Sequence, residues 1–194
     1  MSYGLLQPED IAVLEASLAA LLPKPVVRVL EIGTYKGDTA RGMKDFLAIR
    51  GSQIEYWGIE TGMLKEQCSP FDGAHMLFAR SDESFHLVPD NLDLVFVDGN
   101  HCRNAVILDI LNYYRKVAYN GFMVFHDTGP AMQGILIGNH SGYCVPGCPD
   151  IPEFYVDVLG AWELIGWPWE PWKQFASGFR PDGLFGATSF RNGP

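Results

Sequence analysis

Two short polar clusters carry most of the chemistry open to this sequence. Asp98-Gly99-Asn100-His101 follows the apolar run that begins at Asn91, and His126-Asp127 follows Phe122–Phe125. Imidazoles take up protons near neutral pH, carboxylates and imidazoles both bind divalent cations, and two of each could also supply a facial triad for non-haem iron. A third motif lies upstream, Glu31-x-Gly33-x-x-x-Gly37. An acid beside a glycine loop suits a ligand with positive charge, such as a sulfonium or an α-amino group. The first glycine of the dinucleotide fingerprint G-x-G-x-x-G is missing, which argues against NAD. Glu60 ends the next strand-like run, about twenty residues past the loop, where an acid accepts hydrogen bonds from ribose hydroxyls.

These residues need a parallel sheet to bring them together. Val26–Ile32 is apolar and β-branched apart from Arg28 and Glu31, and reads as a buried strand. Gly33 and Gly37 permit positive φ and a close approach to a bound molecule, and Asp38 and Thr39 can cap or charge a helix running to about Ile49. Further strands are expected at Ile54–Glu60, His75–Ala79, Asn91–Val97 and Phe122–Phe125. Pro8–Leu22 has helical spacing in Ile11, Leu14, Leu18, Leu21 and Leu22. Arg103–Val117 is expected to be a helix burying Val106, Ile110, Leu111 and Tyr114, stopped by Asn120-Gly121. The pattern is α/β and doubly wound, a Rossmann-like mixed sheet with helices on both faces. Ligands of such sheets bind beyond the carboxyl ends of the strands, so Asp98, His101, His126 and Asp127 should converge on the glycine loop.

The E-x-G-x-x-x-G form resembles motif I of class I S-adenosylmethionine (SAM) methyltransferases. Together with D-G-x-H…H-D it resembles the family of macrocin-type sugar O-methyltransferases and cephalosporin-hydroxylase-like proteins, over about residues 26–130. The resemblance implies SAM held by Glu31, Gly33, Thr34, Tyr35, Gly37, Thr39, Glu60, Thr61 and Asp98, with adenine contacted at Ser81 and Asp82. It places a divalent metal (Mg, Mn, Fe or Zn) on Asp98, His126 and Asp127, with Asp98 and His101 catalytic and His101 as general base. His126 stands where the family more often has an acid, and imidazole favours zinc, iron, manganese or nickel over magnesium. The implied activity is metal-assisted methyl transfer from SAM to a hydroxyl of a small molecule. The alternatives are a non-haem iron hydroxylase on the same fold and a non-catalytic SAM-binding partner subunit.

Bulk properties fit one domain over 1–194, with an N-terminal helix within 1–25. The chain has 194 residues, 47% hydrophobic and 19% charged, with a formal net charge of −9. That charge argues against nucleic acid, which requires a basic surface. No apolar run is long enough for a membrane span and Met-Ser-Tyr-Gly is no signal peptide, so a cytoplasmic location is expected. The four cysteines are then expected to be reduced. Cys144 and Cys148, with His140, could ligate a metal or form a local disulfide. Residues 129–172 are rich in Gly, Pro and Trp and are expected to form a loop and a helix (Glu153–Ile165) over the site. Trp162, Trp167, Trp169 and Trp172 there suit a core, a homodimer interface or a substrate pocket. Lys173–Phe179 and Leu184–Phe190 should close the fold as an antiparallel hairpin turning at Pro181-Asp182-Gly183.

Overall fold

The computed structural model describes residues 3–61, 65–128, 136–139, 153–155, 171–176 and 186–192. The apolar run after Pro25 forms β1 (Val26–Ile32), and the next strands are β2 (Gln53–Glu60), β3 (His75–Phe78), β4 (Leu92–Val97) and β5 (Val117–Phe125). Helix α1 (Pro8–Ala20) precedes β1, and between the strands lie α2 (Asp38–Ile49), the short α3 (Ser81–Ser84) and α4 (Arg103–Tyr113). Four more strands follow: β6 (Leu136–Asn139), β7 (Glu153–Tyr155), β8 (Pro171–Ala176) and β9 (Gly186–Arg191).

Seven strands make one sheet in the order β3-β2-β1-β4-β5-β9-β8. The first five run parallel, and β9 pairs antiparallel with both β5 and β8, as the terminal hairpin required. β1 and β4 sit centrally, and β4 is buried along its whole length. That explains their continuous apolar character, since both faces of a parallel sheet are covered. On one face Leu30, Val95, Met123 and Phe125 pack against Val106, Ile110 and Tyr113 of α4. On the other, Val29, Phe96 and Val124 pack against Val13, Leu14 and Leu18 of α1 and Met43, Phe46 and Leu47 of α2. The result is a doubly wound α/β fold.

Three local expectations need correction. Helix α4 stops at Tyr113, and a single 3-10 turn (Tyr114–Lys116) leads straight into β5. Asn120-Gly121 therefore does not end the helix. It lies inside β5, where Asn120 takes φ 65° and the β4–β5 register shifts. Backbone bonds from Asn120 N to Asn192 O and from Asn192 N to Gly121 O tie this irregularity to the end of β9. The buried face of α4 is Val106, Asp109, Ile110 and Tyr113, whereas Leu111 is 53% exposed. A 3.6-residue period starting at Val106 reaches 110 and 113 and rotates 111 away, while Tyr114, in the 3-10 turn that follows, is partly buried against the same core. Finally, Glu153–Tyr155 is a strand paired antiparallel with β6, not the start of a helix. Backbone pairing there overrides the weak helical period. The remainder of that expected helix, the tryptophan cluster, His140, Cys144, Cys148 and the turn at Pro181 lie outside the described residues.

Candidate active site

The carboxyl ends of β1 and β2 build the first half of the site. Gly33 (φ 90°) and Gly37 (φ 80°) bracket the loop, and Gly37 is the N-cap of α2. A Cβ on Gly33 would overlap the carbonyl of Asp98, and one on Gly37 would stand 2.5 Å from Pro70 Cα. Protein backbone, rather than open ligand space, is thus what both glycines face. Glu31 is 1% exposed, and its Oε2 accepts a hydrogen bond from Tyr56 OH of β2, which also lies 3.2 Å from Thr34 Oγ1. Burial pushes the Glu31 carboxyl well above its usual range; Tyr56 opposes this, and the charges of Asp98 and Glu60 add to it.

Glu60, at the tip of β2, is tied to the same loop. Its Oε2 accepts from Tyr35 N (2.7 Å) and its Oε1 from Thr61 Oγ1 (3.0 Å). Tyr35 takes φ 50° and is half exposed. Thr39 is buried in the first turn of α2, whose N-cap is Gly37. Ser81 and Asp82 begin α3, where Asp82 is paired with Arg80 through two bonds of 2.9 and 2.7 Å. Asp109 of α4, fully buried, backs this turn, and Tyr113 OH donates to Ser81 O (2.7 Å).

The ends of β4 and β5 form the second half, and all four polar residues expected there meet. His101 Nδ1 lies 2.7 Å from Asp127 Oδ2, and its Nε2 lies 3.5 Å from Asp98 Oδ1. His126 Nδ1 lies 3.0 Å from Asp98 Oδ1 and 3.3 Å from Asp127 Oδ1. Asp127 takes φ 54°, which turns its carboxylate back toward His101. Burial disfavours charge at each group, but the contacts win. Asp98 is held below the usual carboxylate range by the charge of His126 and the bonds from both imidazoles, and Asp127 by hydrogen bonds from His101 and His126. Hydrogen bonds to Asp127 and Asp98 lift His101 to about 9, and His126 is raised well above the usual value, chiefly by the charge of Asp98. The two carboxylates and two imidazoles form a compact set in which each group favours the charged form of its neighbours.

One member of this site was missed by the sequence reading. Asp10, in the first turn of α1, is 1% exposed, and its Oδ2 accepts from His126 Nε2 (3.2 Å). A signal existed. Asp10 shares the i, i+4, i+8 stripe with Leu14 and Leu18, and a carboxylate on a buried stripe needs a partner.

Comparison with known proteins places the fold. A family model described as "Methyltransferase domain" matches residues 30–128, 99 of the 194. The chain belongs to this methyltransferase family. The match spans both halves of the site, from β1 to the residue after Asp127. Among solved structures, the O-methyltransferase NovP is similar with a TM-score of 0.64 at 11% identity, covering 99% of this chain and 83% of that one. The N-methyltransferase NodS from Bradyrhizobium japonicum WM9 gives 0.62 at 14%, covering 95% and 94%. An O-methyltransferase from Bacillus cereus, in complex with SAH, gives 0.54 at 13%, covering 96% and 91%. No curated protein matches the sequence.

In this methyltransferase the donor set has the chemistry of a cation site. One ligand atom each from Asp98, His101 and Asp127 lie within 4.8 Å of one another. His126 Nδ1 is as close to both carboxylates, so either imidazole completes a mixed oxygen–nitrogen set. The rings differ in setting. The His101 side chain is 20% exposed, whereas that of His126 is 9% exposed and closed from behind by Asp10. No helix among the described residues is long and apolar enough to cross a membrane.

Proposed function

We propose that this chain is a SAM-dependent O-methyltransferase that acts on a hydroxyl of a small molecule, assisted by a divalent cation. The observation that carries this reading is the pair of carboxylates, Asp98 and Asp127, held between two imidazoles at the strand end whose Asp98 backbone abuts Gly33. When bound, SAM supplies a methyl group on a positively charged sulfur, and the cation lowers the pKa of an oxygen it polarises. Glu60 would accept the ribose hydroxyls from the tip of β2, and Glu31 would face the positively charged amino-acid end. Asp98, Asp127 and His126 would hold the cation. His101, on the more open side of the pair, would accept the hydroxyl proton; its proton is held now by Asp127 and Asp98, and engaging those carboxylates elsewhere removes the cause of its raised pKa. In-line positioning of oxygen and methyl group would supply much of the remaining rate.

The test is methyl transfer from labelled SAM to a library of phenols, sugars and polyketide alcohols, with and without EDTA. Product formation that EDTA abolishes and manganese, zinc or magnesium restores supports the reading. Turnover at full rate in EDTA overturns the role of the cation, and transfer only to amines overturns O-methylation.

A further inference from the structure

We propose that Asp10 is a positioning residue for the cation site: from α1 it grips His126 from behind, so that the ring presents Nδ1 to Asp98 and Asp127. This rests on the cation reading above and adds a residue at the far end of the chain from the strand-end motifs. A carboxylate in a helix's first turn ordinarily points to water, where it favours the helix dipole. Asp10 instead is buried, and burial of a charge is costly unless it is paired. Its Oδ2 accepts twice, from Gln7 N (3.0 Å) at the start of α1 and from His126 Nε2 (3.2 Å). The same oxygen thus fixes both the helix start and the imidazole.

The orientation has a chemical consequence. With Nε2–H given to Asp10, the nitrogen left for other work is Nδ1, which stands 3.0 and 3.3 Å from the two carboxylates. A histidine that ligates a metal through one nitrogen usually donates its other N–H to a carboxylate, which fixes tautomer and ring angle. Asp10–His126 has this form. Phe96, edge-on with its centroid 6.4 Å from that of His126, limits ring rotation on another side. His101 differs, because both its ring nitrogens face Asp98 and Asp127 themselves. The division leaves His126 as ligand and His101 for the proton.

The experiment measures Mn²⁺ binding to the full chain by calorimetry and by the Mn²⁺ electron spin resonance spectrum, alongside SAM affinity. Asp10→Asn keeps the volume and an acceptor for Gln7 N but removes the charge behind His126. Mn²⁺ affinity should fall about 10–100-fold with an altered spectrum, and SAM affinity should stay within about twofold. Val13→Ala, a cavity in the same helix that leaves both partners of the Asp10–His126 bond in place, should leave Mn²⁺ binding unchanged. Equal Mn²⁺ affinity in wild type and Asp10→Asn overturns the proposal, as does an equal loss in Val13→Ala, which would mark a merely structural effect. A readout without any variant is the nitrogen-15 spectrum of the Zn²⁺-loaded wild type. His126 should appear as the Nε2–H tautomer, and an Nδ1–H tautomer overturns the proposal. Wild-type protein that binds none of Mg²⁺, Mn²⁺, Zn²⁺ or Fe²⁺ overturns the cation reading itself, and this inference with it.

Discussion

Gly33 and Asp98 meet backbone to backbone: the α-carbon of the glycine lies so near the Asp98 carbonyl that a methyl group has no room. The contact joins the loop after β1 to the loop after β4, while Asp98 N donates to Ile32 O at 2.8 Å. Gly33→Ala should therefore destabilise the whole fold, by about 3 kcal/mol from an unfavourable positive φ and overpacking together. Urea unfolding measures this. A variant of wild-type stability that has merely lost cofactor affinity would show that the position is reserved for a ligand.

Glu60 is the residue on which ribose recognition should depend. Its carboxylate already accepts from Tyr35 N and Thr61 Oγ1, so it is oriented before any ligand arrives. Calorimetric SAM affinity should drop by about 1.5–3 kcal/mol in Glu60→Ala, the value of a hydrogen bond to a charged group. Unchanged affinity, or preferential binding of NADH, would remove the ribose assignment.

Glu31 makes a distinct prediction about protons. Burial raises its pKa well above the ordinary value, so the free protein carries it protonated further up the pH scale. A positive group docking beside it lowers that pKa, so SAM binding should release a proton and strengthen as pH rises. Calorimetry in buffers of different ionisation enthalpy counts the proton. Tyr56→Phe removes the hydrogen bond that favours the carboxylate and should shift this dependence to higher pH. Proton uptake on binding would contradict the scheme.

Asp109 should make stability depend on pH. It is buried in α4, and its pKa is raised from 3.8 to about 7 by burial, with the charge of Asp82 adding and a bond from Ser81 opposing. Between these values the folded chain keeps a proton that the unfolded chain has lost. Stability therefore falls as pH rises through that window, by at most about 1.4 kcal/mol per pH unit. Asp109→Asn mimics the protonated acid and should flatten this stretch of the Tm profile. A profile no flatter than that of wild type would place the titration elsewhere.

The parallel core was legible because local chemistry and global fold agree there. Val26–Ile32 and Asp38–Ile49 fold at the boundaries expected from β-branched runs, glycine breaks and helical spacing, and Asp98, His101, His126 and Asp127 meet because strand ends in such sheets share one edge. Where two weak local signals competed, position along the chain could not arbitrate. Asn120-Gly121 has the chemistry of a helix stop, yet pairing with Asn192 makes it an irregularity within β5.

The sequence by itself determined the order of the parallel strands' elements, the acids at their tips and the glycine loop, since each depends on neighbours within a few residues. Tertiary structure alone decided what those groups face. It set the Gly33 loop against the Asp98 backbone and Tyr56 against Glu31, and it brought Asp10 across 116 positions to His126. Those relations depend on how α1 and β2 pack around β1, β4 and β5. The energy of a buried charge or a close backbone approach belongs to the pair that meets in space, and no local pattern encodes it.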